Sequence, residues 1–528
     1  MFVKCSAKCI RACFRQILPL FVWAVSCVGV QASTATRTMN YTVSFDTCGH
    51  YLCVSLDYKT TDSSLDSLLL KMPVWAPGYY VIVDFPKYLS DFRVEDSCGV
   101  TVAWTKVGKN GWRINRAGCK QLHVTYRIYA NARSVAECRV EDNLAFIAPN
   151  GVFMYEEGYK QQPITINYDL RRTGWKKVST GLKLLKKPTS KCAIYSFLAS
   201  DVDVLYDSPV LIGNQFTESF RHAGHDYELA FETPDGYEQT TFATDFKRII
   251  DATTRLMGDV PYDNYCLIHL GAGQGGLEHH NSQACYTDGT FRFKDRAQYI
   301  RYLNFTTHEY FHLYNVKSIR PIELGPFDYD REVFTPLLWV SEGFTCYYEA
   351  QIMRRAGLGD KQYLLDFFSE YIQTIETKEG HRHMSLRQSS YDIWLNFFNR
   401  AANGPDVRIS YYDKGPILGL LFDIEIRRQT DNARSLDDLM RLLYNRYYKE
   451  QKRGFTEEEF WAAADETAGT HLGLLRRYVD TTAEIDYETL LSHAGLQLNR
   501  TTWTLSIVPT ADELACRIRT SMGFGEAK

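Results

Sequence analysis

The sequence predicts a multidomain α+β protein with an N-terminal all-β domain, a mixed α+β domain after it and a helical C-terminal region. Three observations support this fold class. The chain has 528 residues, 45% hydrophobic and 23% charged, so it is long enough for two or three domains with cores of their own. Short alternating apolar runs, typical of strands, fill residues 39 to 233. From Tyr299 onward, apolar residues recur at helical spacing.

The first 32 residues are predicted to be a signal peptide. An apolar run, I-L-P-L-F-V-W-A-V-S-C-V-G-V, follows four basic residues: Lys4, Lys8, Arg11 and Arg15. The run is short for a membrane span and contains Pro19, so removal after Ala32 is favoured over retention as an anchor. We therefore expect an exported protein, periplasmic or secreted, with no transmembrane span after signal removal. The segment ending at Cys27 resembles a bacterial lipoprotein box, which leaves lipid anchoring open.

Charge and cysteine content limit the partners and the covalent links. The 60 basic and 63 acidic residues give a formal net charge of -3 without a polybasic block, so nucleic acid is not expected as a partner. Ten of the 14 cysteines lie after the signal peptide. Local disulfides would join Cys48 to Cys53 or Cys98 to Cys119, and free buried thiols are the alternative.

A domain boundary is predicted at Pro234, where the strand pattern ends. Thr240 to Met257 has helical spacing, and Asn264 to Leu270 is typical of one strand. Four further helices are predicted: Pro336 to Ala356, Lys361 to Thr374, Pro416 to Gln429 and Leu436 to Tyr448. The predicted units are a β-domain (33–233), a mixed domain (234–430), a helical region (431–500) and a tail (501–528).

The stretch H-E-Y-F-H, His308 to His312, has the residues of a zinc site. Its two histidines stand one helical turn apart, so their imidazoles project from one face and can bind a single zinc ion. Glu309, one step round the helix, is placed to take a proton from an attacking water. The alternative is an ordinary helix whose histidines hydrogen-bond locally.

A third ligand is predicted on the next helix, in L-L-W-V-S-E-G-F-T-C-Y-Y-E. Glu342 stands among apolar neighbours, where an unpaired carboxylate is costly to bury and a metal removes that cost. Two histidines and one glutamate leave a fourth zinc position open, which is typical of catalytic sites. Glu349, about two turns further on, is expected either to orient a ligand histidine or to be a solvated charge.

The glycine run G-A-G-Q-G-G formally matches a dinucleotide-binding pattern. That pattern requires a helix directly after it, whereas L-E-H-H-N-S-Q-A-C-Y continues as a strand, so a nicotinamide cofactor is a weakly supported alternative. Gly275 and Gly276 are instead expected to let the backbone approach a substrate. Glu278 is expected to bind a cationic group, such as the free amino terminus of a peptide.

Two tyrosines in R-I-S-Y-Y-D-K-G-P are expected just before the helix predicted from Pro416. A phenol aimed at a reacting carbonyl stabilises the oxyanion that forms. Tyr412 is predicted to have this role and Tyr411 to face elsewhere. A packing role for either ring is the alternative.

These motifs together resemble the glycyl aminopeptidase family, zinc peptidases of the thermolysin-like superfamily that usually have a C-terminal PDZ domain. The resemblance covers roughly residues 40 to 500 and rests on six stretches: M-P-V-W-A-P-G-Y-Y-V-I-V-D-F, G-G-L-E-H-H-N-S, H-E-Y-F-H-L-Y-N-V-K-S-I-R-P, L-W-V-S-E-G-F-T-C-Y-Y-E, S-Y-Y-D-K-G and S-L-D-D-L-M-R. It implies a thermolysin-like catalytic domain that removes small N-terminal residues, glycine or alanine, from peptides.

The same resemblance implies one zinc ion per chain. The family's site residues fall on matching types here: zinc ligands His308, His312 and Glu342, base Glu309, amino-terminus-binding Glu278 and oxyanion-binding Tyr412. A PDZ domain needs about 80 to 90 residues for its core, so the 28 residues after Arg500 predict a truncated or absent one. An endopeptidase of the same fold and a non-catalytic peptide-binding module remain alternatives. Physiological substrate and oligomeric state are not determined by the sequence.

Overall fold

The computed structural model describes residues 37–62, 66–189, 193–233, 239–287, 295–396 and 401–525. The predicted signal peptide, with Cys27, and the predicted boundary at Pro234 lie outside these residues. The cysteines within them are free thiols, so neither predicted local disulfide is formed. No helix in this part of the chain is long and apolar enough to cross a membrane.

The N-terminal region is an all-β domain, as predicted. Its largest sheet has seven strands in the order Lys183–Lys186, Ile194–Ala199, Ile164–Asp169, Arg37–Asp46, Tyr51–Thr60, Gln121–Tyr129 and Leu89–Asp96. The domain also has two four-stranded sheets. The strands of one follow the order Tyr155–Glu156, Ser67–Lys71, Gly111–Asn115 and Trp104–Val107. Those of the other follow the order Lys177–Thr180, Val210–Gly213, Leu144–Ile147 and Arg139–Val140. A short helix, Val202–Tyr206, lies among them. Alternate residues of each long strand, such as Leu52, Val54 and Leu56, face the core.

A five-stranded sheet connects this domain to the helices. Its strands follow the order Phe216–His222, His225–Phe231, Asn264–Ala272, Ser282–Thr287 and Gly276–His279. The sequence assigns the first two strands to the β-domain, up to residue 233. Instead Leu229 pairs in parallel with Leu267, so the sheet of the mixed domain begins at Phe216. An alternating pattern identifies a strand but not the sheet that it joins. The predicted end of the β-domain at residue 233 therefore lies too far along the chain.

The two faces of this sheet belong to different hydrophobic cores. Side chains on one face pack against the helices: Leu229, Phe231 and Leu267. Side chains on the other face pack into the core of the β-domain: Ala230, Ile268, Leu270, Leu277 and Ala284. The sheet is thus covered on both sides, which matches the continuous burial of its central strand from Tyr265 to Leu270.

The rest of the chain is mainly helical, as predicted. The α-helices are Gln239–Met257, Arg296–Phe311, Phe344–Arg355, Lys361–Glu376, Leu386–Tyr391, Ile393–Asn396, Gly404–Val407, Tyr411–Gln429, Leu436–Leu443, Glu457–Ala468, Gly473–Asp480, Tyr487–Ser492 and Glu513–Ser521. Two π-helical segments interrupt them, Trp339–Gly343 and Tyr444–Glu450. Polar caps start many of the helices; Thr456 and Glu459, for example, form a capping box.

The predicted division at residue 500 cuts through one hairpin. Leu496–Asn499 pairs with Thr504–Ile507, and Glu513–Ser521 follows. Phe524 is fully buried and its ring lies 6.1 Å from that of Phe368. The residues after 500 are therefore packed onto the helical core rather than forming a separate tail.

Candidate active site

The two histidines lie at the end of helix Arg296–Phe311, the histidine helix. Asp295 caps its start by accepting hydrogen bonds from two backbone N–H groups. His308 is in its last turn and His312 directly follows it, and both side chains are almost completely buried. Their Nε2 atoms are 3.0 Å apart. The spacing in the sequence therefore places both imidazoles on one face, as predicted.

Glu342 reaches the same point from the next helical segment. Its Oε2 atom lies 3.2 Å from His312 Nε2 and 3.4 Å from His308 Nε2. The sequence predicts one regular helix from Pro336, but the helix begins at Trp339 with a π-helical turn that contains Glu342. Asn315 Nδ2 donates to the backbone oxygens of residues 340 and 341, which draws these carbonyls out of the regular α-helical ladder.

These three atoms form a triangle that fits one zinc ion. Tetrahedral zinc with bonds of about 2.0–2.1 Å requires about 3.3 Å between its ligand atoms, and the observed edges are 3.0, 3.2 and 3.4 Å. Glu342 Oε2 is buried and has no hydrogen-bond partner among the described residues. Burial opposes ionisation, but His312 and His308 outweigh it and hold the pKa of Glu342 well below its usual range. The donor set and its open side match a catalytic zinc site.

The second ring nitrogen of each histidine is held by a neighbour. His308 Nδ1 lies 2.7 Å from Glu349 Oε2, and Glu349 in turn accepts a hydrogen bond from Asn304. His312 Nδ1 lies 2.6 Å from the backbone oxygen of Asn315. These contacts fix both rings with Nε2 directed into the triangle. The sequence indicated Glu349 but missed Asn304 and Asn315, because neither has a motif of its own.

A second group of possible metal ligands surrounds the other side of His308. It consists of His308, Cys346 and Glu349. Cys346 Sγ lies 3.7 Å from His308 Nδ1, the atom that already contacts Glu349. Burial raises the pKa of this thiol to about 11, so it is a protonated neighbour of the ring and a poor metal ligand.

Glu309 lies beside the triangle, under the strand Gly276–His279, which we call the edge strand. The Glu309 carboxylate occupies the space that a side chain at Gly276 would need. The predicted role of Gly276 was a close approach to substrate, whereas the structure shows that it makes room for this carboxylate. Burial raises the pKa of Glu309 to about 7, although both histidines oppose the shift. Such a carboxylate can accept and release a proton near neutral pH.

Both tyrosines lie in the first turn of Tyr411–Gln429, the tyrosine helix. This helix begins five residues before the predicted start at Pro416, because Ser410 caps it by accepting from the Tyr412 N–H. The Tyr412 ring centre is 6.5 Å from that of His308 and 4.7 Å from that of Tyr411. Burial, and next the Glu342 carboxylate, raise the pKa of both phenols well above its usual value. Both hydroxyls therefore stay protonated donors, and that of Tyr411 is buried beside the Tyr412 ring.

Two glycines fix the spacing between Glu342 and these tyrosines. Gly343 and Gly415 meet where the helical segments cross, and a Cβ atom added to either would lie 2.5 Å from the Cα atom of the other. Only glycine permits this approach of two backbones. The crossing sets the distance between the third ligand and the phenols.

Glu278 lies on the edge strand, which pairs with Ser282–Thr287 in an antiparallel hairpin. It is buried, and with Glu309 and His312 it forms a cluster whose ligand atoms lie within 4.8 Å of one another. The glycine run before it joins two strands and is not followed by a helix, contrary to what a dinucleotide site requires. The structure thus brings all six predicted site residues into one region.

Three neighbours of Glu278 were missed by the sequence analysis. Lys317 Nζ lies 3.8 Å from Glu278 Oε1 and 2.9 Å from Asp207 Oδ1, and Asp207 also contacts His279 Nδ1 at 3.0 Å. Gly78 packs against the carboxylate itself. Gly78 and Asp207 belong to the β-domain, more than 60 residues before the edge strand, so no local pattern links them to Glu278.

A cavity of about 730 Å³ lies between the β-domain and the mixed domain. It is lined by Glu278, Gly78, Lys317 and Asp207 but by none of the three predicted zinc ligands. Aromatic side chains form much of its wall: Trp75, Tyr80, Tyr206, Tyr262, Phe327 and Tyr329. The Glu278 side of the site therefore borders open space between two domains.

The fold and this site define a metallopeptidase. An aminopeptidase N family protein from Idiomarina loihiensis is similar at 25% identity and a TM-score of 0.81, covering 88% of this chain and 79% of that one. An M1 zinc metallopeptidase mutant from Deinococcus radiodurans, solved with a Tyr-Ser-Ala substrate, has a TM-score of 0.54 at 12% identity and covers 85% and 94%. Yeast LTA4 hydrolase has a TM-score of 0.51 at 14% identity and covers 86% and 67%.

Family models identify the family within this class. The Peptidase M61 N-terminal domain matches residues 40–214, and M61 glycyl aminopeptidase matches residues 301–418. No curated protein matches the sequence. The chain belongs to the M61 glycyl aminopeptidase family. The predicted family and the predicted metallopeptidase class are thereby confirmed.

Proposed function

We propose that this protein is a zinc-dependent aminopeptidase that removes small N-terminal residues, glycine or alanine, from peptides. The single observation that supports it best is the triangle of His308, His312 and Glu342, with the Glu278 carboxylate in the same buried region. One zinc ion per chain is proposed, held by these three ligands. The preference for small residues rests on the family alone.

Each side chain of the site has a separate proposed task. Zinc, when bound, polarises the scissile carbonyl and makes water a better nucleophile. Glu309 accepts the proton of the attacking water and returns it to the leaving amine, as its pKa of about 7 allows. Tyr412 donates a hydrogen bond to the oxyanion. Glu278 binds the ammonium group of the first residue and so fixes which peptide bond lies over the metal.

The proposal is tested by metal analysis and an activity screen on the same preparation. We expect about one zinc per chain and release of glycine and alanine from aminoacyl reporters, with loss of activity in a chelator and recovery with added zinc. Glu309→Gln should lower kcat by about 10²- to 10⁴-fold while zinc content stays unchanged. Glu376→Gln, which alters a carboxylate bonded to the Tyr487 hydroxyl, is the control.

Two outcomes would contradict the proposal. Full activity in the absence of bound metal would exclude the metallopeptidase mechanism. Equal cleavage of peptides with free and with acetylated amino termini would remove the role of Glu278 and favour the endopeptidase of the same fold.

We further propose that the chain is exported through residues 1–32, as a periplasmic or secreted protein with lipid anchoring at Cys27 as the alternative. The basic and apolar segments of the leader support this proposal. Cell fractionation and sequencing of the mature amino terminus test it. A mature chain that begins at Ser33 is expected, and a chain that keeps residues 1–32 would contradict export by signal cleavage.

A further inference from the structure

We propose that Gly78 of the β-domain is a positioning residue for the amino-binding carboxylate of Glu278. The inference rests on the proposed function, since it concerns the group that binds the peptide's ammonium. A Cβ atom at residue 78 would lie 2.7 Å from Glu278 Oε1, 3.0 Å from Glu278 Oε2 and 2.7 Å from Leu277 Cδ1. The bare backbone of Gly78 therefore forms the surface against which the carboxylate rests.

The carboxylate has little freedom to move away from that surface. Glu278 is 4% exposed, and its Oε1 atom, which faces Gly78, also lies 3.8 Å from Lys317 Nζ. Lys317 is itself fixed by Asp207, another residue of the β-domain. The carboxylate is thus confined by contacts from both domains, and a methyl group at residue 78 must displace either the carboxylate or Leu277.

The position of this carboxylate matters more than its mere presence. It must meet the ammonium group while the scissile carbonyl of the same residue lies at the metal, and a misplacement of about 1 Å can cost about 100-fold. Gly78→Ala is therefore expected to weaken recognition of the amino group without touching the zinc ligands.

The test measures the amino group's contribution to binding directly. Alanine hydroxamate and propionohydroxamate both offer a metal-binding hydroxamate, but only the first has an amino group. Calorimetry on the zinc-loaded protein gives a Kd for each, and their ratio reports the contact with Glu278. We expect Gly78→Ala to lower the preference for alanine hydroxamate by about 10- to 100-fold, with the Kd of propionohydroxamate nearly unchanged.

Gly158→Ala is a matched control for backbone strain. Gly78 and Gly158 have nearly equal positive φ angles, 86° and 84°, but a Cβ at Gly158 would meet nothing within 4 Å. Both variants place an alanine at a positive φ and should lose thermal stability for that reason, Gly78→Ala should lose more because its methyl group is also overpacked, and only Gly78→Ala should lose the preference for the amino compound. An equal loss of preference in both would assign the effect to strain and overturn the proposal.

A double-mutant cycle with Leu277→Ala separates the two side chains that a methyl group at 78 would meet. If the effect comes from the Glu278 carboxylate, Gly78→Ala should lower the ratio in the Leu277→Ala background as much as in the wild-type background. A ratio that Gly78→Ala no longer lowers once Leu277 is truncated would assign the effect to Leu277 and overturn the proposal. If Gly78→Ala is too unstable to purify, Gly78→Ala with Leu277→Ala removes one contact and should still show the low ratio.

The two proposals fail in different ways. A wild-type protein that binds both hydroxamates equally does not bind an amino group at Glu278, which overturns the aminopeptidase function and this inference with it. A wild-type protein that prefers alanine hydroxamate, together with a Gly78→Ala variant that keeps this preference, overturns the inference alone.

Discussion

The proposed metal half of the site, around His308, His312 and Glu342, and its proposed amino-binding half, around Glu278, are built in different ways. The three predicted zinc ligands come from two neighbouring segments of one domain, within 35 residues of chain between His308 and Glu342, and each histidine is fixed by a hydrogen bond at Nδ1. Glu278 instead lies on a strand at the edge of a sheet, with contacts to Gly78 and, through Lys317, to Asp207. The metal half is therefore built from residues that lie close together in the chain, whereas the amino-binding half depends on how two domains pack against each other.

This difference predicts separable effects of mutation. Changes in the metal half should alter kcat or zinc affinity for every substrate, since the metal and the oxyanion are common to all. Changes in the amino-binding half should alter how well the protein distinguishes peptides with and without a free amino terminus.

After that of Glu309→Gln, the largest effect is expected from Tyr412→Phe. Loss of the oxyanion donor should lower kcat by about 10²- to 10³-fold with zinc content unchanged. Tyr411→Phe is the matched control, because it removes a neighbouring buried phenol whose ring centre lies 4.7 Å from that of Tyr412. A larger loss of kcat in Tyr411→Phe would reverse the assignment of the two tyrosines.

A smaller effect is expected from Glu349→Gln. The variant keeps a hydrogen-bond acceptor for His308 Nδ1 but removes the negative charge that makes the ring a stronger ligand. Zinc affinity, measured by competition with a chelator, should fall by about 10- to 100-fold. The hydroxamate preference at saturating zinc should not change. A changed preference would show that the two halves are coupled.

The smallest effect is expected from Asp207→Asn, in the amino-binding half. Burial opposes the ionisation of Asp207, but Lys317 and His279 outweigh it and hold its pKa below the usual range. Because the folded-state pKa is the lower one, the contact stabilises the folded chain above the unfolded pKa of about 3.9 and is lost as the pH falls below it.

Thermal unfolding in the presence of a chelator measures this contribution. At pH 7 the Tm of Asp207→Asn should be lower by about 2 to 4 °C, and the difference from wild type should narrow between about pH 5 and pH 3. Asp251→Asn, which removes a half-exposed partner of His222, is the control and should show a smaller Tm shift. A pH-independent difference for Asp207→Asn would assign its effect to hydrogen bonding rather than to charge.

The sequence predicts those parts of the site that depend on local spacing. The four-residue spacing from His308 to His312 suffices to place both rings on one face, and a carboxylate at Glu342 among apolar neighbours indicates a metal. The π-helical turn around Glu342 could not be predicted, because it depends on Asn315 bonding to carbonyls 25 and 26 residues away. The start of the tyrosine helix was predicted five residues too late for a similar reason, since it depends on a cap at Ser410.

Contacts between residues far apart in the chain could not be predicted from the sequence. Phe216–His222 and His225–Phe231 alternate like the strands before them, and only their pairing with Asn264–Ala272 shows that they belong to the next sheet. Gly78 lies in the stretch M-P-V-W-A-P-G-Y-Y, which suggested the family but gave no indication of a contact with Glu278. Such contacts depend on tertiary structure, so spacing along the chain does not reveal them.

The contact between Gly343 and Gly415 has a consequence for how this enzyme could acquire other specificities. No side chain can be inserted between the two backbones, so this crossing holds the spacing between the Glu342 carboxylate and the phenols. Substitutions that adapt the site to new peptides would be tolerated more readily along the edge strand and the opposing β-domain surface, where the 730 Å³ cavity leaves space. The geometry around Glu342 and the tyrosines is therefore fixed, and the part of the pocket that can change is the interface between the two domains.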